Sequence, residues 1–266
     1  MSGRYLTQGR LGELVTALSE RDLVLVATLR RVRLASGVQL ERLHFTDADT
    51  RHRRRVLARL VERRLLTRLP RNVGGVRAGS AGYIYALGVA GQRLTDGTGP
   101  ARGRVQRPWT PGLSFMAHTL AITELYVRLV ETERDGALVV RRFVTEPHSW
   151  RSFHGPGGGR QVLKPDADVG LGINVHHDHW FVEVDRGTES PATLARKFAT
   201  YRAYWASGVE QARRGVFPRV LWLAPDERRH ETLAQVAARQ PHDSWPLFVV
   251  SRFDDAITRF QEGAAP

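Results

Sequence analysis

Lys164-Pro165-Asp166-Ala167-Asp168-Val169-Gly170 and Phe181-Val182-Glu183-Val184-Asp185-Arg186-Gly187-Thr188-Glu189 are the stretches whose reading decides how this chain folds. Asp168 to Val175 and His179 to Asp185 predict two strands joined by a tight polar turn. Strand alternation puts Glu183 and Asp185 on one face. Pairing of the two strands would bring Asp166 to them at one sheet edge. Of the 40 basic residues, 38 are arginine, and the two lysines are Lys164 and Lys197. Both stand beside the acidic cluster, Lys197 on a helix predicted from Pro191 to about Ser207. Arginine keeps its proton, whereas lysine is a compact charge whose pKa burial can lower. The lysines are therefore candidates for chemistry as well as for charge.

Working outward, a helix is predicted from Ser114 to Glu133, a strand from Leu138 to Val144, and a flexible glycine excursion over Gly155 to Gly159. Beyond Ser207 follow a strand at Arg219 to Leu223, a helix at Glu227 to Arg239 and a strand at Leu247 to Ser251. The order helix, three strands, helix, strand calls for an α/β (α+β) fold with a central mixed sheet flanked by helices. With Pro-Asp at the second strand and Glu-x-polar at the third, that order resembles the PD-(D/E)XK restriction-endonuclease core. Such a core needs one or two hard divalent cations held by carboxylates, and a group that helps activate water. The resemblance implies that Asp166 and Glu183 hold Mg²⁺ or Mn²⁺. It makes Asp166, Glu183, Asp185 and Lys197 the catalytic set, with Glu124 on the preceding helix as a further acidic member. The usual motif has lysine two residues after the glutamate, where this chain has Asp185, and Lys197 on the next helix stands in. Asp185 is alternatively another metal ligand. The plainer alternative makes these acids strand-end caps and ion-pair partners of Arg186 and Arg196.

The net charge of +13 is lopsided. Residues 1–107 carry 21 Arg against 8 acidic residues, and residues 108–266 carry 19 basic against 19 acidic. The excess lies wholly in the first part and points there to an anionic partner. Ser19-Glu20-Arg21-Asp22 opens a predicted helix, and Gly37 to Leu43 make a second. Thr46 or Asp47 caps a third, running to about Arg64, with Val56, Leu57, Leu60 and Val61 as its buried stripe. Its other faces carry Arg51, Arg53, Arg54, Arg55 and Arg59. Strands at Leu65 to Leu69 and Tyr83 to Leu87 flank a glycine-rich bend that holds Arg71 and Arg77. Three helices and a hairpin resemble a winged helix-turn-helix, whose third helix enters the major groove. That makes the seven arginines the predicted DNA contacts. The predicted organisation is a DNA-binding domain over 1–95, a Gly/Pro/Arg-rich linker over 96–113 and the nuclease-like domain over 114–266.

A more specific resemblance covers nearly the whole chain. Ser19 to Asp22, Gln39-Leu40 with Leu43, the arginine helix, Tyr85-x-Leu87 with Gly91, His118, Lys164-Pro165-Asp166, the run from Phe181 to Glu189, Lys197 and Tyr201 are similar to the replication-relaxation family of bacterial plasmids and mobile elements. It implies a part in mobile-element DNA transactions, with double-stranded DNA as partner. A second copy of the chain and other replication or mobilisation proteins are further candidates. Three functions are compatible with these residues: a metal-dependent endonuclease, a non-catalytic DNA-binding regulator, and a replication accessory factor.

Other classes are set aside. There is no cysteine, so disulfides and cysteine zinc sites are excluded. No membrane span and no signal peptide are expected, which implies a cytoplasmic protein. Gly155 to Gly159 lack the Gly-Lys-Ser/Thr of a P-loop. His176-His177-Asp178-His179 reads as a polar hairpin turn rather than a zinc site or the His-hydrophobic-His of a relaxase, for which Tyr201 or Tyr204 would be the nucleophile.

Overall fold

The computed structural model describes residues 8–46, 49–69, 83–95 and 111–263, with side chains from residue 12 onward. Arg71 and Arg77 lie outside the described residues. The chain divides into two compact units, Met1–Val127 and Arg128–Pro266.

The first unit opens with α1 (Gln8–Thr16) and α2 (Glu20–Val32). At the start of α2 the Ser19 hydroxyl accepts the Asp22 amide at 3.2 Å, and the Asp22 carboxylate accepts the Ser19 amide at 3.1 Å. This reciprocal capping box satisfies two of the amides that a helix start leaves unpaired. A short strand, β1 (Leu34–Ser36), precedes α3 (Gly37–His44), where Ser36 and Gln39 form a second capping box. The arginine helix is α4 (Thr50–Glu62), capped by Asp49 rather than by Thr46 or Asp47. Its Val56, Leu57 and Leu60 pack inward, and Leu25, Leu29, Leu40 and Leu65 complete the core. Strands β2 (Leu66–Leu69) and β3 (Ile84–Leu87) pair antiparallel, and β1 pairs with β3 to give the order β1-β3-β2. Helix α5 (Val89–Thr95) crosses closely over β2. A Cβ on Gly88 would lie 2.2 Å from the Arg64 carbonyl, and one on Gly91 2.2 Å from that of Leu65. Only glycine permits those approaches.

Helix α6 (Leu113–Arg134) contains the division between the units. Among the described residues it is the one helix long and apolar enough to cross a membrane, with a mean hydropathy of 1.2 over its best window. Met116, Ile122, Leu125 and Val127 are buried, and the Thr123 hydroxyl donates to the Leu34 carbonyl at 2.6 Å.

In the second unit β4 (Val139–Thr145), β5 (Arg151–His154), β6 (Arg160–Leu163), β7 (Ala167–Ile173) and β8 (His176–Val184) lead into α7 (Pro191–Ala206) and α8 (Val209–Arg214). Then come β9 (Arg219–Ala224), α9 (Glu227–Ala238), β10 (Phe248–Arg252) and α10 (Ala256–Gly263). The main sheet has the order β10-β9-β8-β7-β4. Strands β8, β9 and β10 run parallel, while β7 is antiparallel to both β8 and β4. The sheet is therefore mixed, as expected. The predicted glycine excursion is instead the tip of a separate ribbon formed by β5 and β6. The predicted turn lies earlier than expected, at Asn174-Val175, with Asn174 left-handed (φ 53°), a conformation asparagine tolerates. The histidines consequently fall within β8.

One sheet face carries α7 and α9. Leu194, Phe198, Tyr201 and Tyr204 of α7 pack with Phe181, Val220 and Trp222 of the sheet and Leu233 and Val236 of α9. Phe198 stacks on Trp222 with ring centroids 4.4 Å apart. Trp180, one residue out of phase with Phe181, points to the other face and meets Phe260 of α10.

A candidate carboxylate and lysine site

Asp166 stands one residue before the register pair Ala167↔Val182, which places it across from Glu183. Its amide donates to the Val182 carbonyl at 3.1 Å, and its carboxylate accepts the Val184 amide at 2.7 Å. Glu183 is 2% exposed and faces α7. There Lys197 Nζ donates to Glu183 Oε2 at 3.2 Å, and the Tyr201 hydroxyl donates to Oε1 at 2.6 Å. Lys197 and Tyr201 are four residues apart and so share a helix face. Lys197 also reaches Glu189 Oε1 at 3.0 Å. One ammonium thus serves two carboxylates, Glu183 and Glu189.

The charges follow from burial and from these neighbours. Burial, and then the neighbouring Asp166, push Glu183 up to about 7 against the opposing pull of Lys197. Burial by itself would lower Lys197, but Glu183, Asp166 and Glu189 outweigh it and hold the ammonium above its ordinary range. Lys197 is thus held as a cation and hydrogen-bond donor. Burial and Glu183 likewise raise Tyr201.

The other predicted site residues have different surroundings. Asp185 accepts Arg229 Nε at 3.0 Å and Nη2 at 2.7 Å, and also the Gly187 amide. Arg229 further donates to the Glu189 carbonyl at 2.9 Å. This clamp holds the 185–189 loop, and the arginine in it is Arg229 rather than Arg186 or Arg196. Glu124 belongs to the first unit, where it pairs with Arg42 at 2.6 Å and accepts from Gln39 at 3.1 Å. Lys164 lies over the Trp150 ring, 4.7 Å from its centroid. Tyr201 and Tyr204 are each 1% exposed and donate to Glu183 and Glu210. Neither has the exposed hydroxyl a nucleophile needs. His177 and His179 share a face of β8 opposite Gly172 and Gly170, while His176 faces the other way.

Among the described residues no three His, Asp or Glu side chains gather to hold a metal. The protein offers a divalent ion two carboxylates, Asp166 and Glu183. That donor set fits Mg²⁺ or Mn²⁺, since Mg²⁺ commonly takes one or two carboxylates and completes its octahedron with water and substrate phosphate.

Sequence reasoning missed Glu189 and Tyr201 as members of this cluster, although the four-residue step from Lys197 marks Tyr201. It also missed a second buried cluster. Asp168, wholly buried, accepts Arg142 Nε at 3.0 Å, Arg151 Nη2 at 2.5 Å and Arg214 Nη2 at 2.5 Å. Arg151 and Arg214 also pair with Glu210, at 3.1 and 2.7 Å. Burial would raise Asp168, but the hydrogen bonds and charge of Arg214, with Arg142 and Arg151, hold it below its ordinary value.

In the first unit, α4 sorts its arginines. Arg53 pairs with Glu41 of α3, and Arg59 Nη2 reaches both oxygens of Asp22 on α2 at 2.7 Å. Arg51, Arg54 and Arg55 are exposed. At the foot of the hairpin Arg68 lies 4.0 Å from the centroid of Tyr83, which is 51% exposed.

No curated protein and no solved structure matches the chain. A family model described as replication-relaxation matches residues 26–220. That span runs from α2 to the start of β9 and takes in the arginine helix as well as the carboxylate and lysine cluster, so the chain belongs to the replication-relaxation family.

Proposed function

We propose that this chain binds double-stranded DNA through α4 and cuts one strand at Asp166, Glu183 and Lys197, as a step in the replication or relaxation of plasmid or mobile-element DNA. The convergence of Asp166, Glu183 and Lys197 at one strand end carries this reading. Family membership supports the pathway. In the first unit, the run α2, β1, α3, α4 and a β2–β3 hairpin, with β1 beside β3, supports a winged helix in which α4 enters the major groove. The exposed Arg51, Arg54 and Arg55 are then the phosphate and base contacts. In the second unit, two strands bearing Asp166 and Glu183, followed by a helix and a parallel strand, support a PD-(D/E)XK-like core.

Hydrolysis forms a bond from a water oxygen to phosphorus and breaks one phosphorus–oxygen ester bond. Asp166 and Glu183 would hold Mg²⁺ or Mn²⁺, whose chemistry there would be to polarise water and offset phosphate charge. The Val184 amide aims Asp166, and Tyr201 aims Glu183. Lys197, kept charged by three carboxylates, is placed to neutralise a phosphoryl oxygen.

Supercoiled plasmid incubated with the full chain and Mg²⁺ or Mn²⁺ tests this. Nicked circles should accumulate, and Glu183→Gln should slow their formation by about a hundredfold or more. Intact plasmid under both ions, with duplex binding retained, would leave the second reading, a non-catalytic DNA-binding regulator. The Arg229 clamp on Asp185, where the nuclease motif has its lysine, is the observation that favours it.

A further inference from the structure

Lys164, the other lysine of the chain, is absorbed by neither the carboxylate cluster nor α4. It follows β6 directly, across from Trp150, which directly precedes β5. In the β5–β6 ribbon Arg151 and Phe153 face inward with Leu163, and all three are buried. The opposite face carries Trp150, Ser152, His154, Arg160, Val162 and Lys164, all exposed. It holds two fixed cations and a histidine, and no carboxylate. Trp150 is 38% exposed, and its ring lies under Lys164. Arg160 Nη2 is steadied by the Ser152 hydroxyl at 3.2 Å.

The ribbon is tied to the candidate site. The Glu146 amide donates to the Asp166 carbonyl at 3.1 Å, the Ser149 hydroxyl donates to the Pro165 carbonyl at 2.5 Å, and Lys164 precedes Pro165 in the chain. The segment bearing Trp150 is thereby hydrogen-bonded to the one bearing Asp166.

We propose that the outer face of this ribbon seats an unpaired DNA strand beside the carboxylate and lysine site, with Trp150 stacking on a base and Lys164, Arg160 and His154 facing the phosphates. A duplex hides its base faces in the stack, so an exposed indole ring can engage only bases that are unpaired or splayed out. An aromatic platform flanked by cations is how single strands are held without sequence preference. From Trp150 to His154 the face runs about 13 Å along the strand, room for more than one nucleotide. The inference deepens the cleavage reading by naming the form of DNA presented to Asp166, and it rests on that reading only for the purpose of the strand.

The test is binding of the full chain, in EDTA, to a fluorescein-labelled oligothymidine of about 20 nucleotides and to a duplex of equal length. Trp150→Ala should weaken single-strand binding roughly tenfold and leave duplex binding unchanged. Trp150→Phe should retain most of it, and Lys164→Ala with Arg160→Ala should flatten its salt dependence. Unchanged oligothymidine binding by Trp150→Ala would overturn the proposal. So would absence of single-strand binding by the unmodified chain, or equal loss on both DNAs that Trp150→Phe does not restore. A chain that fails to nick plasmid yet loses oligothymidine at Trp150→Ala sinks the cleavage reading and leaves this one standing. Nicking with unchanged oligothymidine binding does the reverse.

Discussion

Two carboxylate clusters are anchored two residues apart in the chain, at Asp166 and Asp168, and neighbouring charges act on them in opposite senses. At Asp168 and Glu210, three guanidinium groups meet two carboxylates. At Glu183 and Glu189, two carboxylates share the one ammonium of Lys197, with Asp166 beside Glu183. The first surplus is positive and holds Asp168 low, so the cluster is closed and complete. In the second, burial and then the neighbouring Asp166 raise Glu183 to about 7 against the pull of Lys197. Burial alone does not separate Asp168 from Glu183, since both are nearly inaccessible. The direction in which neighbouring charges act does: arginines pull Asp168 down, whereas Asp166 pushes Glu183 up.

The largest expected effect follows directly. Asp168→Asn leaves Arg151 and Arg214, 7% and 11% exposed, facing a neutral amide. Breaking a buried pair from one side costs about 3–5 kcal/mol, and urea unfolding of the variant should show a loss of that size. Glu183→Gln removes a charge the fold holds at a cost. In EDTA at pH 8 it should unfold at the same temperature as the unmodified protein or a few degrees above it. A loss at Glu183→Gln as large as that at Asp168→Asn would erase the distinction between the two clusters.

Acidity sharpens the same contrast, with opposite signs. The folded-state pKa of Asp168 is lowered, so its stabilisation is present above the ordinary value of 3.8 and is lost as pH falls through the lower folded value. The pKa of Glu183 is raised from 4.5 to about 7, so its contribution is complete below 4.5 and is lost as pH rises through 7. In metal-free buffer, the advantage of Glu183→Gln over the unmodified protein should be small at pH 5 and grow towards pH 8. The deficit of Asp168→Asn should instead shrink as pH falls below 4. Melting temperatures of the three proteins across that range decide it, and a Glu183→Gln advantage that is flat with pH would contradict the assignment.

How much of this the sequence displayed depended on the range of each interaction. Asp166 and Glu183 follow from alternation in two adjoining strands, and α2 from a capping box spanning four residues. Lys197 and Tyr201 need only the helical period. The Asp168 cluster left no local trace, because its arginines come from β4, β5 and α8 and meet only when the sheet closes. Helix α8 is also only six residues long, too short for a periodic pattern. Strand β1 is three residues without a β-branched side chain, and it exists because β3 offers it a ladder. Glu124 shows the converse. Periodicity placed it correctly on a helix, but periodicity does not say which partner that face meets, and here the partners are Arg42 and Gln39.

Neighbouring charges also sort the arginines within α4, more weakly. Arg53 and Arg59 are matched by Glu41 and Asp22, while Arg51, Arg54 and Arg55 stand exposed on the same helix. The matched pair should therefore act on stability and the exposed three on binding. Asp22 is 2% exposed on its side chain and also completes the cap of α2, so Arg59→Ala leaves a buried carboxylate short of a donor. That should cost about 1–3 kcal/mol. Replacing Arg51, Arg54 and Arg55 with alanine should leave unfolding unchanged to within about 0.5 kcal/mol. It should lower duplex affinity and reduce the slope of log affinity against log salt by about 2–3, close to one for each phosphate no longer neutralised. Fluorescence anisotropy over a salt series, paired with urea unfolding of the same variants, separates the two roles. A triple variant that unfolds early but keeps the full salt slope would move the DNA-binding surface away from α4.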